Sequence, residues 1–332
     1  YLTNNNNATN KVTLVPKQDL VIIPRFSSNT AETNHLKGFI IITPDGNRYY
    51  FGDTGDGSPA IETLAGGGGN YPTIPSSWFL KKIETHDGKY AINLNYANED
   101  CLTSYIPSHS SCDFGSGQQI PPNASYGSNV SGKRISSITS TVDNVTFTPS
   151  VANREDIALH PLNTNPPKSL ATISISSGSF QKKYDLSYDY WVDGSSDAVA
   201  AGDVTVNKRL RLLSVQEKSG DNTVTIPAHT FEYYIKSGSP NFLPHRLSRS
   251  IDHWGFYNGK NNGAYNLSTL NVGYQSATCL NGQSCLNQTF SYAGGSDRET
   301  DETSMKYGTL KKVTYPTGGS TEFDMEANDY YS

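Results

Sequence analysis

The sequence predicts an all-β protein in which successive antiparallel β-hairpins form curved sheets, as a shell or a β-sandwich, with long loops and little helix. The composition is the first observation: 21 Tyr and 12 Phe stand against 2 Met, and Thr, Ser and Asn are abundant. The second is that apolar segments flank Asp-Gly turns. The third is that no segment shows the periodicity of a long helix. Only residues 194–204 suit a short helix, and a loop suits them equally well.

The hairpins are clearest in the first third of the chain. In residues 38–52, two apolar runs flank a Pro-Asp-Gly-Asn turn, whose backbone angles suit a tight connection. Residues 78–96 form a second unit, bounded by Trp78 and Tyr96, and its returning strand alternates strictly between apolar and polar residues. Comparable units recur at 134–147, 209–234 and 309–323. The sequence therefore contains a degenerate repeat of hairpins.

Four segments follow from this pattern. Residues 1–36 are N-terminal extended strands, broken by two prolines; residues 37–130 form a hairpin domain with a disulfide loop; residues 131–250 form another hairpin domain; and residues 251–332 are a loop-rich segment leading into a last hairpin. Because the chain starts at Tyr1 without a leader, we expect a fragment or processed product of a longer protein.

Net charge and hydropathy argue against nucleic-acid binding and against a membrane-spanning helix. Lys and Arg total 26 against 31 Asp and Glu, a formal net charge of −5, which argues against nucleic-acid binding. No run approaches the roughly 18 apolar residues that a membrane-spanning helix requires. We therefore expect no transmembrane segment.

The cysteines form two close pairs, each within a polar loop. Four cysteines permit three disulfide connectivities, and proximity favours the two local pairs, Cys101 with Cys112 and Cys279 with Cys285. Persistent disulfides indicate an oxidising compartment, the periplasm or the cell exterior, and we expect an extracellular or cell-surface location.

Several segments resemble one family of repeat proteins. Residues 309–323 (TLKKVTYPTGGSTEF) resemble the strand-turn-strand consensus of RHS, or YD, repeats. Residues 45–52, 78–83 and 88–96 are similar to the region that precedes those repeats, which is shared with toxin-complex and SpvB-like β-shell proteins. Residues 251–260 (IDHWGFYNGK) are similar to a segment of large RHS-like surface proteins of Bacteroidota.

The resemblance implies a non-enzymatic scaffold. Hairpins of this family wind into a sheet that encloses, presents or anchors a cargo, commonly a C-terminal toxin, and no repeat residue is catalytic. The implied partners are the rest of a longer chain, with outer-membrane or surface proteins or glycans as further candidates. We assign no catalytic residue, cofactor or metal, and the structural motif residues are Trp78, Tyr96, Asp252, His253, Trp254, Gly255, Tyr315, Pro316 and Gly318.

Alternative functions rest on particular residues. Asp252, His253 and Trp254 suit a general base beside a stacking surface in a glycan-active enzyme, but we favour a core role for Trp254, Phe256 and Tyr257. Exposed aromatic residues would instead suit a carbohydrate-binding or adhesive β-sandwich. Two acidic clusters suit calcium, although solvated turns are favoured; they are Asp53 with Asp56, and Asp189 with Asp193 and Asp197.

Overall fold

The prediction of an all-β fold is confirmed. The computed structural model describes residues 2–3, 11–12, 18–27, 35–66, 73–105, 126–159, 164–193, 204–262, 270–274, 288–292 and 296–328. Within those ranges the chain forms twenty β-strands and no α-helix, with 3-10 turns at Val204–Asn207 and Ser304–Lys306. None of the described segments is a helix able to cross a lipid bilayer.

One antiparallel sheet dominates the structure, and thirteen of its strands form a single path. Numbered along the chain, they are β3 (Val21–Phe26), β4 (Leu36–Ile42), β5 (Arg48–Gly52), β8 (Leu80–Glu84), β9 (Ala91–Tyr105), β10 (Tyr126–Thr139), β11 (Asp143–Asn153), β13 (Lys168–Ser177), β14 (Phe180–Val192), β15 (Lys208–Ser219), β16 (His229–Tyr233), β19 (Leu310–Thr314) and β20 (Ser320–Glu322). Each pairs with the next in that order, and the path ends at β3 and β20 without closing. The sheet therefore grows by one strand after another, as a chain of hairpins.

Three further strands branch from this path. They are β6 (Ile61–Gly66), β7 (Ile74–Trp78) and β12 (Ala158–Leu159). β10 pairs with β6 near Val130 and with β11 near Ile138, while β12 pairs with the distal part of β9. Two separate hairpins complete the described strands: β1 (Leu2–Thr3) with β2 (Lys11–Val12), and β17 (Leu270–Tyr274) with β18 (Gln288–Tyr292).

Register shifts interrupt the longest strand pairs. They occur between Ile135 and Ser137 in the β9–β10 pair, and between Ser187 and Tyr188 in the β14–β15 pair. A bulge bends its strand and increases the local twist. The positions of these irregularities fit the curved sheets that the sequence predicts.

Little of the sheet is fully buried. The buried apolar side chains of the described residues are Ala60, Val130, Ala158, Trp191, Val206, Leu243 and Met305, and most of these belong to loops, 3-10 turns or a two-residue strand. Nine consecutive positions of β13 are half-buried, so neither of its faces is tightly covered. The best-packed region therefore lies where loops fold onto the sheet.

Trp191 shows how that packing works. It is 4% exposed, its ring lies 5.8 Å from the Tyr233 ring, and the guanidinium carbon of Arg211 lies 4.1 Å from its centroid. Arg211 pairs across the strands with Asp189, to which its Nε donates at 2.5 Å. The aromatic ring thus covers one face of a charge-paired arginine.

Three hairpin turns share one local design. Each begins with a hydroxyl residue, carries Asp two positions later, and continues with Gly or Asn at positive φ; the turns are Thr43 to Gly46, Thr85 to Gly88 and Ser219 to Asn222. In each the hydroxyl donates to the Asp carboxylate, which also accepts a backbone N–H two residues further on. This local chemistry fixes the two turns that the Asp-Gly sequences predict, and also the turn at 219–222, where Asn222 stands in place of glycine.

Candidate functional site

The segment predicted as a motif, residues 251–260, forms a loop held by one buried carboxylate. Asp252 is 0% exposed, and its Oδ1 accepts hydrogen bonds from the Trp254 and Phe256 N–H groups, both at 2.9 Å. The Asp252 N–H donates to the Phe256 carbonyl at 2.8 Å, and Arg298 Nη2 donates to the Asp252 carbonyl at 2.6 Å. The carboxylate therefore fixes the conformation of the loop, because it accepts hydrogen bonds from two backbone N–H groups at once.

Two buried amides fasten this loop to a distant segment. Asn258, 1% exposed, donates through Nδ2 to the carbonyls of Asp297 at 2.8 Å and Glu299 at 3.1 Å. Asn262, 3% exposed, donates to the Arg249 carbonyl at 2.8 Å and accepts the Asp297 N–H at 2.9 Å. We call residues 249–262 with 296–299 the pinned loop. Neither Asn was predicted as a site residue, because in so Asn-rich a sequence nothing local distinguishes a buried amide.

The pinned loop presents aromatic side chains to solvent. Trp254 is 41% exposed and Phe256 is 38% exposed, on either side of Gly255, whose φ is +93°. Tyr257 turns inward, with its ring 5.8 Å from Phe242 and 6.2 Å from Tyr307. The interpretation of Trp254, Phe256 and Tyr257 as core residues is thus wrong for Trp254 and Phe256, which are exposed, whereas Tyr257 is half-buried.

His253 and Asp252, the two titratable residues of this motif, differ in burial. The His253 ring lies edge-on to Trp254 with centroids 6.5 Å apart, and it is exposed, whereas the Asp252 carboxylate is directed into the loop. The structure therefore places the two titratable groups of this motif in different environments.

Trp78 and Tyr96 both anchor the first hairpins. Trp78 Nε1 donates to the Leu36 carbonyl at 2.9 Å, and its ring lies 6.4 Å from Phe39. Tyr96 donates its hydroxyl to the Leu80 carbonyl at 2.7 Å, and burial raises the pKa of this phenol. Both hydrogen bonds tie a side chain to a neighbouring strand, which supports a structural role.

Tyr315, Pro316 and Gly318 form the turn between β19 and β20. The Tyr315 N–H donates to the Gly319 carbonyl at 2.8 Å, and Gly318, at φ +87°, donates back to the Tyr315 carbonyl at 2.9 Å. The Tyr315 hydroxyl lies 2.9 Å from Thr321 Oγ1, on the opposite strand. The segment that resembles a repeat consensus is therefore a strand-turn-strand unit.

Cys101 lies on β9, and its thiol is free in the structure. It is half-buried, and burial, followed by the charges of Glu62, Glu99 and Asp100, raises the pKa of this thiol. Cys112, Cys279 and Cys285 lie outside the described residues. The two local disulfides therefore stay a prediction.

A half-buried ion pair that the sequence did not predict joins the loop after β11 to β15. Arg154 contacts Asp156 through two nitrogens, at 2.9 and 2.6 Å, and Asp156 Oδ2 accepts the Leu210 N–H at 3.0 Å. Burial alone would raise the pKa of Asp156, but the hydrogen bonds from Arg154 and Leu210 outweigh it and hold that pKa below its ordinary value. Arg246 Nη1 donates to the Asp156 carbonyl at 2.7 Å.

The described members of the acidic clusters considered for calcium have protein partners. Asp56 lies 2.5 Å from Lys81 Nζ, Asp189 pairs with Arg211, and Asp193 accepts the His245 N–H at 2.9 Å. Asp197 lies outside the described residues. Across the part of the chain that the structure describes, no three His, Cys, Asp or Glu side chains cluster as metal ligands would.

No protein-family model matches this chain, and no curated protein is similar enough in sequence to count as a match. The fold itself defines the class of molecule: an all-β protein built on one open, antiparallel sheet of consecutive hairpins.

Proposed function

We propose that the chain is a non-enzymatic β-scaffold, secreted or held at the cell surface, that encloses, presents or anchors a cargo such as a C-terminal toxin. The observation that supports it is the open sheet, which adds hairpin to hairpin in chain order and ends at β20. A sheet of this kind is extended by each further hairpin that pairs with its edge. The rest of a longer chain is the partner proposed to do so.

The hydrogen bonds and charge pairs described above serve the same role. The turn carboxylates fix each hairpin locally, the Asp156 carboxylate fastens a loop to β15, and the Asp252 carboxylate fixes the conformation of its own loop. Buried polar groups with this many backbone partners specify a single arrangement of the chain. Such rigidity suits a wall that must keep its shape around a cargo.

The scaffold proposal is tested by protease protection of the complete natural polypeptide. Val313→Pro removes a ladder donor from β19, between its neighbours β16 and β20. We expect the cargo segment to resist limited proteolysis in the unaltered polypeptide and to be cleaved in Val313→Pro. The control Val313→Thr keeps the donor and should behave as the unaltered protein does. Equal cleavage in all three, or a polypeptide without a further domain, would contradict the proposal.

A carbohydrate-binding or adhesive function is the second candidate, because the pinned loop holds Trp254 and Phe256 at the surface. A preorganised aromatic side chain stacks on a sugar ring with little loss of conformational entropy. Affinity electrophoresis in neutral polysaccharides should show retardation that Trp254→Ala abolishes. Phe180→Ala, on β14, is the matched control, because Phe180 is 53% exposed and lies outside the pinned loop. Retardation that both variants lose equally, or its absence in the unaltered protein, would reject this candidate.

A further inference from the structure

One face of the open sheet is apolar across its central strands. Residues that lie directly opposite each other in an antiparallel pair project from the same face of a sheet. From β8 to β11, the registers pair Ile83 with Ile92, Leu94 with Ile138, and Ile138 with Val145. Ile92 and Leu94 are two positions apart on β9, so all of these side chains lie on one face.

The same face stays apolar from β11 to β15. Here the registers pair Val145 with Ile175, Phe147 with Ile173, and Ile173 with Tyr184. Leu186, two positions after Tyr184 on β14, lies opposite Val215 of β15. We call the surface that runs from Ile83 to Val215 the apolar face.

The apolar face is two to three residues wide. On β9, Tyr96 follows Leu94 by two positions and lies opposite Ile135 of β10. On β14, Tyr188 follows Leu186 by two positions and lies opposite Leu212 of β15. With strands about 4.8 Å apart and same-face residues about 6.8 Å apart, the strands from β8 to β15 give it an area of roughly 450–700 Å².

Two charged residues beside the apolar face neutralise each other. The registers place Lys182 opposite Ile175 and Glu217 opposite Tyr184. Lys182 Nζ lies 2.8 Å from Glu217 Oε1, so the two side chains form an ion pair. The apolar face therefore suits a partner surface that is itself apolar and without net charge.

The opposite face of these strands is polar. Its opposed residues form a row across β9, β10, β11, β13 and β14, which consists of Asn93, Thr139, Asn144, Ser176 and Gln181. A sheet with one polar and one apolar face commonly exposes the first to water and packs the second against another layer. The pattern of these strands thus favours a second layer on the apolar face.

The described part of the chain does not supply that layer. Each named residue of the apolar face is exposed or half-buried, and Ile92 is 42% exposed. Trp191, in contrast, is 4% exposed, at a place where loops fold onto the sheet. A contiguous apolar surface on the order of several hundred Å² marks an interaction site.

We propose that two copies of the chain pack their apolar faces together, as the two layers of a β-sandwich. Two such faces bury roughly 900–1,400 Å² together, which reaches the range of stable interfaces, about 1,200–2,000 Å². A second copy brings a face that is equally apolar and equally without net charge, and a two-fold axis sets the two faces against each other. Twisted sheets pack in this way with their strands about 30° apart. The proposal does not depend on the scaffold function, and its failure would leave that function intact.

Sedimentation velocity of the purified chain over a range of concentrations tests the self-association. We expect a dimer whose dissociation constant rises at least tenfold in Ile92→Glu and in Val145→Glu. In a two-fold interface each substitution places an unpaired carboxylate between the sheets twice. Ile92→Glu should fold as a monomer, because Ile92 is already 42% exposed in the single chain.

Asn93→Glu and Thr146→Glu are the matched controls. Each adds the same charge to the same strand one position further on, where the registers place the side chain on the polar face. Both should dimerise as the unaltered chain does. Circular dichroism spectra of the four variants, recorded below the dissociation constant, establish that they fold.

Hydroxyl-radical footprinting locates the interface. Oxidation of Phe147 and Tyr184 should fall when the dimer forms, whereas oxidation of Tyr90, 64% exposed in the turn between β8 and β9, should not. A chain that stays monomeric, a dimer that Asn93→Glu weakens as much as Ile92→Glu does, or unchanged oxidation of Phe147 would overturn the proposal. A monomer that binds lipid vesicles or a cargo polypeptide through this face would also overturn it, because the occupant would then be a different one.

Discussion

Single buried polar residues decide how the loops of this protein are arranged. Asp252 is the clearest case, because one carboxylate oxygen accepts two backbone N–H groups while its Oδ2 has no hydrogen-bond partner among the described residues. The residue therefore needs one acceptor oxygen, and the two hydrogen bonds that this oxygen accepts do not themselves require a carboxyl group. Alanine and asparagine substitutions separate the need for an acceptor oxygen from the need for a carboxyl group.

Asp252→Ala should lower the free energy of unfolding by about 1–3 kcal/mol, because two buried backbone donors lose their acceptor. Asp252→Asn should cost less, since its amide oxygen can accept the same two bonds. Chemical denaturation followed by tryptophan fluorescence measures both. Glu322→Ala, at a side chain 71% exposed on β20, is the control and should change stability by less than about 0.5 kcal/mol. Equal losses of stability in Asp252→Ala and Glu322→Ala would contradict a stabilising role for the Asp252 carboxyl group.

The carboxyl groups of the hairpin turns make the free energy of unfolding depend on pH. Hydrogen bonds from the Ser219 hydroxyl and from Thr223 lower the pKa of Asp221 to about 2, against about 3.9 in an unfolded chain. A lowered folded-state pKa contributes stability that is present above the unfolded value and is lost as the pH falls through the folded value. The hydrogen bonds of Asp45 and Asp87 lower their pKa values in the same direction.

Asp221→Asn should therefore melt at a lower temperature than the unaltered protein at pH 6. The difference should shrink as the pH falls from about 4 to about 2, where the unaltered Asp221 becomes protonated as well. Melting curves at a series of pH values measure it, with Glu322→Gln as the exposed control. A difference between the unaltered protein and Asp221→Asn that stays constant down to pH 2 would be inconsistent with the lowered pKa.

At the level of the element, the hairpin turns differ in what surrounds them. Gly46 and Gly88 occupy equivalent positions in two turns, at φ values of +83° and +70°. A Cβ added at Gly46 would lie 2.8 Å from the His86 Cβ, whereas one added at Gly88 would meet nothing within 4 Å. Gly46 is thus packed against the neighbouring turn, whereas the space around Gly88 is open.

Gly46→Ala should consequently destabilise the protein more than Gly88→Ala does. Both variants place a side chain at positive φ, which costs about 1–2 kcal/mol, but only Gly46→Ala adds a steric clash. Thermal denaturation compares the melting temperatures of the two variants, which carry the same Gly→Ala substitution. Equal losses would show that His86 moves aside without cost.

For the whole molecule, the open sheet predicts a gradient of stability. β13 is paired on both sides, with β11 and β14, whereas β3 and β20 have one neighbour each in the described sheet. Amide hydrogen exchange, read by mass spectrometry, should therefore be slowest in β13 and fastest in β3 and β20. Protection of β20 equal to that of β13 would mean that the edge is covered and that the sheet is not open.

Much of the fold was predictable because its signals are local. Asp-Gly turns, alternating strands and aromatic content predicted the hairpins at 38–52 and 78–96, and the structure contains both. The candidate site was less predictable. The 251–260 segment was identified, but the exposure of Trp254 and Phe256 was not, because it depends on Asp252 being buried by segments far along the chain.

The amino-acid sequence by itself determined where the chain turns and which stretches become strands, since hydroxyl, Asp and Gly or Asn residues within four positions settle each of the three shared turns. Tertiary structure alone decided which polar groups meet. Asp156 and Leu210 are 54 residues apart, and Asn258 and Glu299 are 41 apart. Such contacts depend on the complete sheet, because each partner is ordinary in its own local sequence and gains its role only when folding removes both from water.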